Sequence, residues 1–299
     1  MAIFFLIFSY VLWGLFPIYW KQLLHIPPIE VLCHRILWSF LFYGLTLFFM
    51  NFSSREKVQK IRSHLKLDPK LWGKLFLSSL MITSNWFLYI YAVNTDQILQ
   101  GSLAYYISPL ISVIVGNVFF HEFMPPRVRW ALGFCGLGVL LLMFLPTILH
   151  HHPPHPPWLA LSLAFSFFGY GFLKKSMPTP AVVSSFVEGL FFVLPSIYYI
   201  FWSPYSSLPN YTSHDWFLFV CGGIVTGLPL VFFSYAAQRL PFSTIGFFQY
   251  LSPTLQLMTA VFIYHEDFSL PKKAAFSFIW IGVGLYVSYL LSRRANISK

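Results

Sequence analysis

Charged residues are scarce in this chain: only 9% of its 299 residues are Asp, Glu, Lys or Arg, whereas 57% are hydrophobic. Soluble domains carry roughly 25% charged residues, so this composition excludes a water-exposed globular surface. Most of the chain consists of apolar runs of about 20 residues, the length that a helix needs to cross a bilayer. The composition predicts a protein embedded in lipid.

Cysteine is also rare, and Cys33, Cys135 and Cys221 fall inside apolar runs without paired spacing. This excludes a disulfide framework or a zinc knuckle. The histidine- and proline-rich stretch at 150–157 has no accompanying carboxylate or cysteine, so we expect an outer loop there and no metal site. No Walker loop of the form GxxxxGK followed by Ser or Thr occurs, so this chain does not hydrolyse ATP through one. We expect no cofactor.

Polar and proline-rich breaks divide the sequence into ten predicted helical spans. They lie near residues 3–20, 31–50, 74–94, 102–120, 130–149, 158–175, 181–202, 216–237, 244–264 and 274–291. The first has neither a basic n-region nor a small-residue cleavage site, so we interpret it as an uncleaved helix. Continuous apolar runs exclude the alternating strands of a β-barrel. The predicted fold is an all-α polytopic membrane protein.

A shift of 144 residues aligns several motifs of the two halves without a gap, whereas the first pair of helices aligns less well and at a different offset. It places Ser108–Pro109 on Ser252–Pro253 and His121–Glu122 on His265–Glu266. Five spans per half is an odd number, so consecutive halves enter the membrane from opposite sides, as in many secondary transporters. The sequence predicts two inverted five-helix repeats, residues 1–150 and 151–299.

The net charge of +10 follows the predicted topology. With the N-terminus inside, only Lys21, Arg35, Lys272 and Lys273 of the 19 Lys and Arg residues lie outside the inner segments, which leaves 15 on the inner side. Basic residues concentrate in inner loops, so we expect both termini in the cytoplasm. Because these residues are spread over several loops and form no single basic patch, we expect no nucleic-acid partner.

Several stretches resemble a known family: SYVLWGLFPIYWKQL, EVLCHRILWS, NWFLYIYAVN, SLAYYISPLISVIVGNVFFHE and TGLPLVFFSYAAQRLPFSTIGFFQYLSPTLQLMTAVFIYHE. They are similar to the RarD branch of the EamA-type transporters in the drug/metabolite transporter superfamily. The resemblance implies a ten-helix permease of the bacterial inner membrane, with one EamA-like repeat in each half. Some ten-helix members of the superfamily in obligate intracellular bacteria import S-adenosylmethionine, often against its demethylated product, S-adenosylhomocysteine.

Polar groups inside a bilayer are costly and are candidates for function. Two repeat-related helix faces carry them: Gln249, Pro253 and Gln256 in the ninth span, and Tyr105, Pro109 and Ser112 in the fourth. We expect these faces to line a midplane cavity, with helix breaks at the two prolines. The alternative is that they only form hydrogen bonds between helices.

Glu188 is the carboxylate that lies well inside a predicted span. It could bind a cationic substrate, relay a proton or form a salt bridge with a neighbouring helix. Asn85 and Tyr89 in the third span, and Tyr235 in the eighth, are further substrate-binding candidates. Their alternatives are tyrosines at the membrane interface or a capped turn.

Other candidates lie near the ends of the spans. We expect gating residues at Lys21, Arg35, Glu122 and Glu266, and aromatic substrate contacts at Trp13, Tyr19 and Tyr170. Interfacial snorkelling, helix-end salt bridges and an aromatic belt are the respective alternatives. The glycines of the fifth and tenth spans permit close helix packing, within a monomer or a homodimer.

The favoured function is secondary transport of a small metabolite by alternating access. The substrate class is zwitterionic or cationic, with S-adenosylmethionine as the named candidate, since aromatic rings and a buried carboxylate suit a cation. Amphiphilic drugs or amino-acid-like metabolites are the alternative. An intramembrane enzyme would need a convergent acid, base or nucleophile cluster, and the nine acidic residues are dispersed. We therefore predict no enzymatic activity.

Overall fold

The computed structural model describes residues 1–53, 69–94, 98–150, 158–177, 179–265, 268 and 270–297. Within these ranges the chain forms helices and short turns, and no strand is present. The predicted all-α class is confirmed, and helices occupy all ten predicted spans.

The α-helices are numbered in chain order. They are α1 (Ala2–Trp20), α2 (Pro28–Ser53), α3 (Pro69–Asn94), α4 (Ile98–Phe120), α5 (Pro126–His150), α6 (Trp158–Ser176), α7 (Ala181–Trp202), α8 (Ser213–Ala237), α9 (Phe242–Gln249), α10 (Leu251–Met258) and α11 (Leu270–Ile297). Three of them begin at a proline, whose fixed φ suits the first helical position and whose missing N–H costs nothing there. Thr212 and Asp215 form a capping box at the start of α8.

The ninth predicted span is not one continuous helix. It consists of α9, α10 and a π-helical turn at Thr259–Ile263, with the break at Tyr250. Pro253 follows the break by three residues, and its ring clashes with the carbonyl four residues earlier in a regular helix. The fourth span differs, because α4 runs unbroken through Pro109. The helix break predicted at Pro109 is therefore absent.

Six described helical segments are long and apolar enough to cross a membrane by length and composition. They are Ala2–Leu23, Pro28–Phe49, Pro126–Phe144, Ala181–Trp202, Ser213–Ala237 and Lys272–Ser292, and a shorter apolar helix covers Ala104–Phe120. The chain is thus a multi-pass membrane protein.

Unit 1 consists of residues 1–91 and 169–239. Its α2 packs against α7 and α8, and α1 packs against α8. Phe40 stacks on Phe186 with ring centroids 4.7 Å apart. A Cβ at Gly44 would lie 3.3 Å from Phe186, and a Cβ at Gly189 would lie 3.1 Å from Phe40. Small residues therefore let α2 and α7 approach closely.

Unit 2 consists of residues 92–168 and 240–299, and its largest helix contact joins α5 and α11. Phe134 stacks on Phe278, and Cys135 donates through Sγ to the Ile279 carbonyl at 3.7 Å. The two residues of each pair are 144 positions apart in the sequence. The contact of α5 with α11 therefore joins residues that the 144-residue shift relates.

Both units take helices from both halves of the sequence. The division into repeats at residue 150, and the inversion of one repeat relative to the other, stay predictions.

Candidate functional site

An ion pair is buried in unit 1. Lys174 in the last turn of α6 and Glu188 in α7 approach to 2.7 Å between Nζ and Oε1, and their side chains are 0% and 6% exposed. Taking two charges out of water is expensive, and the attraction between them repays this only with good geometry and additional hydrogen bonds. An ionisable pair within a membrane protein is therefore a candidate functional site.

Serine hydroxyls complete the hydrogen bonding of the pair. Ser78 in α3 donates to Glu188 Oε1 at 2.7 Å, and Lys174 donates to Ser184 Oγ at 2.8 Å. Ser184 and Glu188 are four residues apart, so they share one face of α7. Ser79 donates to the Glu188 carbonyl at 2.6 Å. These contacts join α3, α6 and α7.

Two tyrosines border the ion pair. The Lys174 ammonium lies 5.2 Å from the ring centroid of Tyr170, one turn earlier in α6, and the Tyr170 hydroxyl is 3.4 Å from Ser234 Oγ in α8. Tyr43 in α2 lies within electrostatic range of Glu188 and donates to the Gly227 carbonyl at 3.3 Å. Ser185 lies near both phenols, but its hydroxyl makes no hydrogen bond of normal geometry. The site thus draws on α2, α3, α6, α7 and α8.

Glu188 forms a salt bridge to a neighbouring helix, one of its three predicted roles, and its roles in binding a substrate or relaying a proton stay predictions. Sequence reasoning missed Lys174, which it assigned to the basic residues of the inner segments, although the side chain is fully buried. The available signal was the spacing of Tyr170 and Lys174, which places an aromatic ring and a cation on one helix face. Ser78 and Ser184 were missed as well.

Arg35 in α2 lies among aromatic rings of unit 1. Its guanidinium carbon is 4.8 Å from the Trp20 ring and 4.5 Å from the Trp86 ring, and Phe16 is 5.8 Å away. Arg35 Nε donates to Thr226 Oγ1 at 3.4 Å. Arg35 therefore forms a half-buried cation–π cluster at its predicted gating position. Lys21, by contrast, is exposed in a short 3₁₀ turn.

Acidic and aromatic groups hold the segment before α8 against the start of α2. The Glu30 carboxylate accepts hydrogen bonds from the Ser207 N–H and hydroxyl, and His25 pairs with Asp215 at 3.0 Å.

His34 stacks on Phe219 with ring centroids 3.8 Å apart, and its Nε2 lies 3.2 Å from the Tyr211 hydroxyl. Burial, and then the Glu30 charge, raise the pKa of Tyr211 above its usual range.

Three further candidates of unit 1 lie in α1 and α3. Trp13 packs against Phe233, which stacks on Tyr170 at 5.9 Å, so Trp13 borders the ion-pair site through one ring. Asn85 in α3 is buried, and Tyr89 follows it by one turn on the same face.

Tyr19 and Tyr235 hold helix ends. The Tyr19 hydroxyl donates to the Leu218 carbonyl, and Arg239 lies 3.7 Å over the Tyr235 ring while donating to the Tyr235 carbonyl at 3.0 Å. The predicted role of both tyrosines in substrate binding stays a prediction.

In unit 2, the two predicted polar faces contribute to direct helix packing. Gln249 donates to Ser108 Oγ at 3.1 Å, and Ser112 donates to the Ser108 carbonyl at 3.0 Å. A Cβ at Gly246 would lie 2.7 Å from the Pro109 carbonyl, so α4 and α9 are in close contact. Gln249 thus makes an interhelical hydrogen bond, the alternative to cavity lining.

The other members of these faces are placed as follows. Tyr105 and Gln256 are half-buried, and the Pro253 carbonyl accepts a hydrogen bond from Tyr106 at 3.4 Å. Their role in substrate binding stays a prediction.

Glu122 caps the start of α9 from the loop after α4. Its carboxylate accepts hydrogen bonds from the Phe242 N–H, from the Ser243 N–H at 2.9 Å and from the Ser243 hydroxyl at 2.6 Å. A carboxylate is favoured there, because a helix N-terminus carries free N–H groups and a positive partial charge. His121 and its repeat mate His265 both have positive φ, 50° and 55°. Glu266 lies outside the described residues.

Comparison with known proteins places the chain in a family. The EamA-like transporter family matches residues 1–144 and 156–288. The uncharacterized transporter YojE of Bacillus subtilis (strain 168) is 38% identical over 295 residues, which cover 97% of this chain and 95% of that protein. Protein RarD of Escherichia coli (strain K12) is 33% identical over 299 residues, covering 97% and 95%.

A solved crystal structure matches with a TM-score of 0.72 over 98% of both chains, and its identity of 18% makes this a likeness of fold alone. The RarD and EamA resemblance of the sequence is confirmed. This multi-pass membrane protein belongs to the EamA-like transporter family, in the drug/metabolite transporter superfamily.

Proposed function

We propose that the chain is a secondary active transporter that moves a small zwitterionic metabolite across the bacterial inner membrane by alternating access. Its family supports transport, and the buried Lys174–Glu188 pair carries the substrate class. In the orientation that the Lys and Arg distribution favours, both termini are cytoplasmic.

A zwitterion suits this pair better than a simple cation does. A cationic ligand that captured Glu188 would leave the Lys174 ammonium buried without its counter-ion, and breaking a buried pair in this way costs about 3–5 kcal/mol. A ligand with both an ammonium and a carboxylate can replace each partner at once. The ligand's two charges would replace the internal ion pair in one conformation of the protein and not in the other. The two conformations would therefore bind the ligand with different affinities, which alternating access requires.

S-adenosylmethionine carries an amino-acid end and a sulfonium and stays our named candidate, with S-adenosylhomocysteine as the counter-substrate. Amino-acid-like metabolites of other kinds fit the same two charges. Amphiphilic drugs are the alternative, and they would engage the aromatic rings without replacing the ion pair.

Binding and transport are tested separately on the purified protein. Thermal-shift measurements would compare amino acids, nucleosides, S-adenosylmethionine, S-adenosylhomocysteine and neutral amphiphilic drugs, and the stabilising compounds would then be assayed for saturable uptake into proteoliposomes.

We expect Glu188→Gln and Lys174→Met to abolish uptake, while Lys175→Met, at the next position of α6, retains it. Full affinity and uptake in Glu188→Gln would remove the ion pair from the mechanism, and stabilisation by neutral drugs alone would favour the alternative substrate class.

A further inference from the structure

Two tryptophans of unit 1 carry buried N–H donors without a partner. The Nε1 atoms of Trp20 in α1 and Trp38 in α2 are shielded from solvent and make no hydrogen bond to any residue that the structure describes. Leaving a buried donor unsatisfied costs free energy comparable to a lost hydrogen bond, so native proteins rarely keep one without a reason. Two such donors, on tryptophans that pack against one apolar cluster, indicate a missing acceptor.

Both tryptophans border the same short segment of α8. A Cβ at Gly222 would lie 3.3 Å from the Trp20 ring, and a Cβ at Gly223 would lie 2.5 Å from the Trp38 carbonyl oxygen. Both rings also pack against the apolar cluster of Leu23, Ile26, Leu218 and Phe219. The glycines therefore let Trp20 of α1 and the backbone of α2 at Trp38 approach α8 closely at this segment.

A guanidinium lies in the same region. Arg35 precedes Trp38 by three residues on α2, which places the two on one helix face. Its charge is 4.8 Å from the Trp20 ring, and its Nε reaches Thr226, one turn after Gly222 on α8. The region therefore gathers a planar cation and two indole N–H donors, and all of these groups donate.

A carboxylate is the complement of such a set. It presents two oxygens with about four acceptor positions, which a guanidinium and further N–H donors can share. We propose that Arg35, Trp20 and Trp38 form a subsite for the carboxylate of the transported molecule. The rings of Phe16, Trp20 and Trp86 hold the guanidinium in place by cation–π attraction.

This subsite is separate from the ion pair. Eight residues of α2 separate Arg35 from Tyr43, the α2 side chain near Glu188, which corresponds to about 12 Å along the helix axis. The carboxylate of the substrate would bind at Arg35 first and reach Lys174 later in the cycle. That order rests on the proposed function, whereas binding at the subsite does not.

The test uses matched acids and amides on the full-length protein in detergent. The probes are leucine, phenylalanine and glutamine, each compared with its carboxamide, and affinity is measured by calorimetric titration. We expect the acids to bind at least tenfold more tightly than the carboxamides. Arg35→Gln should abolish this difference, and Trp20→Phe and Trp38→Phe, which keep a ring but remove the N–H, should each weaken the acids about tenfold. Trp72→Phe, on α3 of the same unit, is the matched control and should change neither affinity.

Stability separates a binding role from a structural one. Because the indole N–H groups are unsatisfied in the free protein, Trp20→Phe and Trp38→Phe should leave its melting temperature unchanged or raise it. Three binding results would overturn the subsite: equal affinity for acids and amides, no binding of any acid, or unchanged acid affinity in both Phe variants. A lowered melting temperature of the Phe variants, with affinity for acids and amides reduced equally, would also overturn it. Acid-selective binding without uptake into vesicles would refute the proposed transport and leave the subsite standing. Uptake of amides as fast as acids would refute the subsite and leave the proposed transport standing.

Discussion

Neutralising one member of the Lys174–Glu188 pair should be far more damaging than neutralising both. Glu188→Gln leaves the ammonium of Lys174 buried without its counter-ion, and Lys174→Met leaves the carboxylate in the same position, because the two side chains are 0% and 6% exposed. Removing one partner of a buried pair costs about 3–5 kcal/mol. The amide that Glu188→Gln introduces still accepts a hydrogen bond, so the lower end of that range applies to this variant.

The double variant removes both charges together. Relative to the wild type it loses the ion pair and the bond from Lys174 to Ser184, which is worth about 1 kcal/mol in net terms, while the amide of Glu188→Gln still accepts from Ser78. With about 3 kcal/mol for Glu188→Gln and about 3–5 kcal/mol for Lys174→Met, the single changes sum to about 6–8 kcal/mol. The double change costs about 1 kcal/mol, which gives a coupling free energy of about 5–7 kcal/mol.

The assay is reversible unfolding of the four proteins in mixed micelles, followed by tryptophan fluorescence. Lys175→Met combined with Glu188→Gln is the control cycle, and it should show no coupling, because Lys175 is not the residue that pairs with Glu188. Additive effects of Lys174→Met and Glu188→Gln would refute the buried pair. The double variant should fold and still fail to transport, so stability and uptake report on different properties.

Two further predictions concern close packing in unit 2. Gly116→Ala places a Cβ 2.8 Å from Glu122 Oε2 and 3.0 Å from the Ser243 N, so it should displace the Glu122 cap of α9 and lower stability by about 1–2 kcal/mol. Glu122→Ala removes the same cap and should cost about 1–2 kcal/mol as well. Thermal unfolding measures both variants, and the double variant should be no less stable than either single one. Gly138→Ala places a Cβ 2.6 Å from a carbonyl of α11 and should lower stability by about 1–3 kcal/mol, whereas Gly136→Ala, with nothing within 4 Å, should be neutral or stabilising. Equal melting temperatures for these two variants would contradict the packing of α5 on α11.

Local signals in the sequence were sufficient for the helices. The span predicted at 181–202 coincides with α7, because Pro180 and Ser203 bound a predominantly apolar run. The sequence predicts helix breaks at both Pro109 and Pro253, which occupy equivalent positions, but only Pro253 is accompanied by an interrupted helix, at Tyr250. The same residue type thus has two outcomes that depend on its packing.

The candidate site was predictable only in part, for a related reason. A carboxylate inside an apolar run is conspicuous, and Glu188 was found. A lysine at the inner end of a span ordinarily indicates topology, and nothing near Lys174 in the sequence shows that α3 and α7 enclose it. Its burial depends on contacts with Ser184 and Glu188, ten and fourteen residues later.

The packing of α2 on α7 does not depend on the charge at Glu188. Gly44 and Gly189 each face a phenylalanine of the partner helix across this contact, and Phe40 stacks on Phe186. The Glu188 carboxylate instead bonds to Lys174 and Ser78. We therefore expect the doubly neutralised variant to fold, because both charges are removed together and the apolar contact of α2 with α7 is unchanged.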